Sequence, residues 1–295
     1  MIDKKELENY RKAGKIAKEI KEYCRKIIKK DMLLIDIAEK IENEIIRLGA
    51  KPAFPVDLSI DDIAAHYSPL PYETTKASGL LKVDFGVHVN GCICDTAITL
   101  DLENNEENKK LIEASNDALK EAIKAIKKDI RIREIGKKIS ETIRKHNFSS
   151  IINLAGHELK PYIVHAGISI PNYDNNNENK LKEGIYAIEP FATNGEGKVY
   201  DGGLSGVYNL KEIKAVRSKE EREILSYIER EYKTLPFSSR WIIKKFGRRS
   251  LIILGFLESQ GIINQYSHLV ERGHGKVSQS ENTIYFDGEK VEVLS

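Results

Sequence analysis

Val83-Asp84-Phe85-Gly86-Val87-His88-Val89-Asn90-Gly91-Cys92-Ile93-Cys94-Asp95-Thr96 is the stretch on which the reading of this chain turns. Asn90-Gly91 between two β-rich runs signals a two-residue type I′ hairpin, because both loop residues must take positive φ. With that loop, Val89 pairs with Cys92, Val87 with Cys94 and Gly86 with Asp95. Asp84 then shares a face with Gly86 and lies diagonal to Asp95, about 7–8 Å away between backbones. The opposite face carries Val83, Phe85, Val87, Val89, Cys92, Cys94 and Ile98, so it enters a core. Two carboxylates side by side against a core repel unless a positive charge lies between them, and Gly86 is expected to leave room for it. A bound divalent cation meets that need, since oxygen-rich ligation suits hard or borderline metals. The alternative is a solvated face with two ordinary surface aspartates, which the hairpin alone leaves open. His88 lies on the Asp face but nearer the turn and reads as a non-ligand neighbour.

The remaining composition narrows the class. The chain has 295 residues, enough for one large domain or two modest ones, with 41% hydrophobic and 31% charged residues. Lys+Arg 47 against Asp+Glu 45 gives +2, so no global field points to nucleic acid or to a membrane. No apolar run approaches the roughly 18–20 residues of a membrane span. The start, Met1-Ile2-Asp3-Lys4-Lys5-Glu6, lacks the apolar core of a signal peptide. Three cysteines make no disulfide framework, and Cys92 and Cys94 alternate away from the aspartates as buried thiols. A reducing, cytoplasmic compartment is expected.

Along the chain the order is helices, then strands, twice. Glu6–Lys30 repeats apolar residues at helical spacing (Ala13, Ile16, Ala17, Ile20, Tyr23, Cys24, Ile27 and Ile28), and Leu33–Leu48 does the same up to Gly49 as a C-cap. Strand-like segments follow through Thr99. Helical patterns at Glu107–Lys127 and Ile132–Lys145 then precede a β-rich stretch from Ile151 to about Ala192. The pattern predicts an α+β domain of two related halves. A third region differs in texture. Lys219–Tyr232 is a charged amphipathic helix broken at Leu235-Pro236, with short helices predicted at Ser238–Phe246 and Ser250–Gln260. Gly261-Ile262-Ile263 leads back into strand, and Glu281–Phe286 is the expected final strand. The helical unit reads as an insertion, giving a catalytic body of residues 1–216 and 271–295 and an inserted subdomain of 217–270. Asn172–Lys180 is a surface loop.

Beyond the hairpin come Gly156-His157, His165-Ala166-Gly167, Ile188-Glu189-Pro190-Phe191 and Glu281-Asn282-Thr283. In order, Asp84, Asp95, His157, Glu189 and Glu281 resemble the five-ligand dinuclear site of the pita-bread metallopeptidases. Phe54-Pro55-Val56-Asp57-Leu58-Ser59-Ile60, Ala64-Ala65-His66-Tyr67-Ser68-Pro69 and His165-Ala166-Gly167-Ile168-Ser169-Ile170-Pro171 narrow this, looking like the type 2 methionine aminopeptidases of archaeal kind. The resemblance implies a pita-bread fold of two pseudo-symmetric helix-helix-strand halves around the metals, with a winged-helix-like inserted subdomain. It implies two divalent ions (Co, Mn, Fe or Zn), with Asp84 on one, Asp95 and Glu281 bridging, and His157 and Glu189 on the other. By the same resemblance Glu189 is the proton shuttle, and His66 and His165 are non-ligand histidines on the substrate. Phe54, Val164, Phe191 and Tyr266 would line the methionine pocket.

Two departures stand out. Asn282 follows Glu281 where the family usually has histidine, so Glu281 is the ligand most in question, with Glu271 and Glu289 as weaker substitutes. Leu80-Leu81 replace a more polar approach to the Asp84 strand, a change of packing. The implied activity is removal of the N-terminal methionine of polypeptides when the second residue is small, by a monomer. A chain opening Met1-Ile2 is then expected to keep its own methionine. The competing reading is a non-catalytic relative that binds RNA or ribosomes. Lys244, Lys245, Arg248 and Arg249 read as a solvated helix face, with ribosomal RNA contact as the functional alternative.

Overall fold

Asn90 and Gly91 take φ of 54° and 89°, and the hairpin they turn has the predicted register, with Gly86 opposite Asp95, Val87 opposite Cys94 and Val89 opposite Cys92. The computed structural model describes residues 2–295; Met1, on which the self-retention expectation falls, lies outside them. Leu80–Val89 is the axis of the first sheet. Cys92–Asp101 runs along one edge, while Lys51–Pro52 and Asp57–Ile60 share the other.

The apolar face of this hairpin packs on the first helix pair. Lys4–Ile27 starts at Asp3, whose carboxylate accepts the N–H groups of Lys5 and Glu6, and it buries Ala13, Ile16, Ala17, Ile20 and Cys24 at spacings of three and four. Leu34–Arg47 lies beside it and ends before Gly49 at φ 82°. Val83, Phe85, Val87, Val89, Cys94 and Ile98 share one core with these helices. Cys92 departs from that set and packs with Tyr10 and Ala53 instead. The first helix ends three residues before the predicted boundary, because Ile28 turns extended ahead of Asp31 at φ 67°.

The second half repeats the arrangement. Helices Glu106–Ala125 and Ile132–Lys145 cover a five-stranded sheet ordered Val291–Val293, Asn282–Phe286, Gly184–Ile188, Ala155–Leu159, Ser169–Pro171. Asn282–Phe286 is therefore not the last strand. A long strand, Val199–Leu210, was not evident in the sequence; it pairs with Ile263–Glu271, and two register shifts interrupt the ladder. Lys219–Tyr232, Ser239–Phe246 and Ser250–Ser259 form the helices of the third region around a hydrophobic cluster of their own.

What sets the two halves against each other is a line of threonine hydroxyls. The Asp95 N–H donates to Thr283 Oγ1 at 2.8 Å, and the same hydroxyl donates to the Asp95 carbonyl at 2.7 Å. Thr96 Oγ1 donates to the Glu281 carbonyl, the Glu281 N–H to the Ala97 carbonyl, and Thr99 and Gln279 exchange a reciprocal pair. This seam fixes Asp95 of one half beside Glu281 of the other.

Candidate metal centre

Asp84 and Asp95 project from the hairpin as predicted. Three further elements of the second half bring their groups to meet them. His157 sits within Ala155–Leu159, Glu189 directly follows Gly184–Ile188, and Glu281 directly precedes Asn282–Phe286. One ligand atom each from Asp95, His157 and Glu281 lie within 4.8 Å of one another. His157 Nε2 is 3.7 Å from Asp95 Oδ2 and 3.4 Å from Glu189 Oε1. Asp95 and Glu281 are only 3% and 2% exposed, too little for water to neutralise them.

The electrostatics describe a site built for positive charge. Burial first, and repulsion from neighbouring carboxylates second, hold Asp95, Glu189 and Glu281 well above the ordinary carboxylate range. Burial raises Asp84 too, opposed by a 2.9 Å hydrogen bond from Gln279 Nε2. Burial also lowers His157 to about 3, which keeps its imidazole neutral and free to donate a lone pair. Asp84 Oδ1, Asp95 Oδ1 and Glu281 Oε2 are buried with no hydrogen-bond partner among the described residues. Oxygen donors in excess, one imidazole and orphaned carboxylate oxygens fit a divalent cation of the borderline kind.

All the predicted site residues open on one cavity of about 180 Å³. Asp84, Asp95, His157, Glu189 and Glu281 line it together with His66, His165, Phe54, Val164, Phe191 and Tyr266. The ring of His165 meets that of His157 edge-on at 4.3 Å between centroids, and His66 faces Tyr266 at 6.2 Å. Burial lowers His66, to about 4, and His165, so each can present one neutral N–H. His66 holds φ 63°, an uncommon conformation for a non-glycine residue and one that recurs at functional positions.

One expectation fails. The space over Gly86 is not left for a cation: a Cβ there would lie 2.4 Å from Phe54 Cε1 and 2.8 Å from the Ala53 Cβ. Gly86 is small because the pocket wall passes over it. The weaker substitutes for Glu281 are otherwise engaged. Glu271 accepts the N–H groups of Gly197, Gly273 and Gly275, and the exposed Glu289 pairs with Lys128. His88 takes the Gly91 N–H on Nδ1 beside the turn, away from the cavity. Asn282 points to the far side of its strand, where Lys21 Nζ donates to it at 2.7 Å.

Three residues at the site escaped the sequence reading. Gln279 ends a separate strand, Val277–Gln279, and reaches Asp84 only through a tertiary bond. The bond of Thr283 to the Asp95 backbone is likewise tertiary and has no local trace. Asp57 stood in a quoted motif without being assigned chemistry, and it lines the cavity opposite Asp84.

Residues 8–224 match metallopeptidase family M24. The chain belongs to that family. Over 288 residues it is 43% identical to the methionine aminopeptidase of Pyrococcus abyssi, covering 96% of this chain and 97% of that protein. Among solved structures, a thermophilic Arx1 superposes with a TM-score of 0.82 at 15% identity, covering all of this chain and 91% of the other. The methionine aminopeptidase of Thermotoga maritima gives 0.71 at 22% identity, covering 100% and 98%. These two structural likenesses carry the pita-bread fold and nothing finer. No helix among the described residues is long and apolar enough to cross a membrane.

Proposed function

We propose that this cavity is the active site of a metal-dependent methionyl aminopeptidase, which removes the N-terminal methionine of newly made proteins when the second residue is small. The observation that carries this is the convergence of five metal-type ligands, two neutral histidines and an aromatic wall on one cavity of about 180 Å³. Asp84 would hold one ion, His157 and Glu189 the other, with Asp95 and Glu281 shared between them. When bound, two divalent ions of the cobalt, manganese, iron or zinc kind supply the charge that polarises the scissile carbonyl and acidifies a water.

The residues of the chain do the rest. Glu189 accepts the proton as the water oxygen bonds to the carbonyl carbon, then delivers it to the departing amide nitrogen as the C–N bond breaks. His165 and His66, kept neutral by burial, each donate an N–H toward the oxygen on which negative charge develops or to the adjoining peptide group. Phe54, Val164, Phe191 and Tyr266 receive the methionine side chain. The products are free methionine and the shortened polypeptide.

Residues 217–270 are read as a subdomain inserted in a body of 1–216 and 271–295, acting in the cytoplasm as part of a monomer. Arg240, bonded to Glu42 at 2.8 Å with both side chains buried, and Pro236 at the cavity wall tie this region to the active site. Arg248 stacks on Tyr72 at 4.1 Å, which favours an ordinary structural role for part of the basic cluster. Contact with ribosomal RNA through Lys244, Lys245 and Arg249 is the second reading, tested by co-sedimentation with ribosomes. For the main proposal the test is metal analysis of the purified protein together with methionine release from a Met-Ala-Ser peptide. Asp95→Asn should lose at least one ion and nearly all activity. A variant with normal metal content and rate would overturn the assignment.

A further inference from the structure

The family-type site uses four carboxylates, yet a fifth faces the same cavity. Asp57 is 7% exposed, lies in strand Asp57–Ile60 directly opposite Asp84, and lines the cavity wall. Its Oδ1 has no hydrogen-bond partner among the described residues. Register partners on antiparallel strands share a face with Cβ atoms about 4.5–5.5 Å apart, so Asp57 and Asp84 look into the same space. The backbone on either side of Asp57 is held. The Val56 N–H donates to Glu42 Oε1, Ser68 Oγ donates to the Val56 carbonyl, and the Leu58 N–H donates to the Tyr67 carbonyl. Arg240, the nearby guanidinium, is already committed to Glu42 and to the carbonyl of Pro69. A rigidly placed carboxylate with a bare oxygen therefore waits for a donor from the cavity.

Two kinds of donor fit, and charge and position decide between them. The four carboxylates Asp84, Asp95, Glu189 and Glu281 already balance the charge of two divalent ions, so a fifth is not needed as another metal ligand. Asp57 does lie three residues after Phe54, whose ring forms part of the wall for the substrate side chain. In an N-terminal residue the amine and the side chain leave the same carbon, so the group that reads the amine must sit beside the side-chain pocket. We propose that Asp57 is a specificity-determining residue that accepts an N–H of the substrate's free α-amine. It would thereby select the chain terminus over an internal or blocked residue. The inference rests on the aminopeptidase reading and extends it to a residue outside the metal set.

The test compares binding of L-methionine with its des-amino analogue, 4-(methylsulfanyl)butanoate, to the manganese-loaded protein by calorimetry. Wild type should prefer L-methionine, and Asp57→Asn should narrow that preference by about tenfold to a hundredfold, the scale of one hydrogen bond to a charged group. Metal content of the variant should stay at the wild-type value. Asp57→Ser gives the same comparison should the first variant fail to fold, and wild-type indifference to the amine would overturn the proposal without any variant. Loss of an ion from either variant, or an unchanged preference, would overturn it as well. Methionine release from Met-Ala-Ser by wild type is measured in parallel. Failure there counts against the aminopeptidase reading, while the change of amine preference on substitution counts only for or against Asp57.

Discussion

Gly86→Ala is a one-carbon change whose consequence can be worked out from the structure. The added Cβ would stand 2.4 Å from Phe54 Cε1, 2.7 Å from Phe54 Cδ1 and 2.8 Å from the Ala53 Cβ. Carbon atoms rest about 3.5–4.0 Å apart, so the Phe54 ring must retreat by about 1 Å. The backbone at Gly86 needs no special φ, so the whole effect is one of space. Overpacking of this size costs about 1–3 kcal/mol in stability. Because the displaced ring lines the cavity, the larger effect falls on substrate placement, where an error of about 1 Å can cost a hundredfold in rate. The assay is kcat/KM for methionine release from Met-Ala-Ser, with melting temperature and metal content measured on the same protein. Activity should fall about a hundredfold while metal is retained. Phe54→Leu added to Gly86→Ala should recover stability beyond the sum of the single effects, because the two sites share one clash. Wild-type activity and melting in Gly86→Ala would refute the reasoning, since the ring would then have room the structure denies it.

Further outcomes follow from the same geometry. Thr283→Val strips both hydrogen bonds from the Asp95 backbone, so it should cost about 1–3 kcal/mol in thermal unfolding and weaken metal affinity about 10–100-fold by titration; unchanged affinity would show that the seam does not hold Asp95. Asp95, Glu189 and Glu281 have native pKa values above their unfolded ones, so the folded protein binds more protons and metal-free stability falls as pH rises from the ordinary carboxylate range towards neutrality. Added manganese displaces those protons, and the rise in melting temperature it causes should be larger at pH 8 than at pH 5; an equal or opposite trend would contradict this. His165→Ala should keep its metal but lose about a hundredfold in kcat, whereas His157→Ala should lose metal. Equal metal loss in both variants would mean that the two histidines are wrongly divided.

Legibility of the fold and site follows the range of the interaction that carries each feature. The hairpin register was open to reading because a type I′ turn and a two-residue period are local, and they hold from Val83 to Asp95. Lys219–Tyr232 was equally plain, since its amphipathic spacing is local, and the structure adds a Ser218–Glu221 capping box at its start. Val199–Leu210 hid itself: Gly202-Gly203 and Ser205-Gly206 interrupt alternation where the strand bulges against Ile263–Glu271. The space above Gly86 was misread for a related reason. Strand parity says which face a residue shares but not what a distant loop lays across it, and here that is Phe54.

The two halves of this protein each supply an incomplete site. The first hairpin brings two carboxylates and no imidazole to the cluster, while the second half brings His157 from within a strand and Glu189 and Glu281 from the ends of two others. Their placement depends on a seam in which the hydroxyls of Thr96, Thr99 and Thr283 bond the backbone across the gap. Backbone atoms on both sides are tied, so neither Asp95 nor Glu281 can move without breaking bonds that water cannot replace in so buried a place. That rigidity opposes the repulsion among the carboxylates, which would otherwise push the halves apart. The same constraint separates Asn282 from the cluster. Its side chain faces Lys21 on the helix side of the strand, and the position of Glu281 is set by its own backbone bonds to Thr96 and Ala97. The ligand set thus tolerates a change one residue away, whereas a change at the threonines reaches both halves at once.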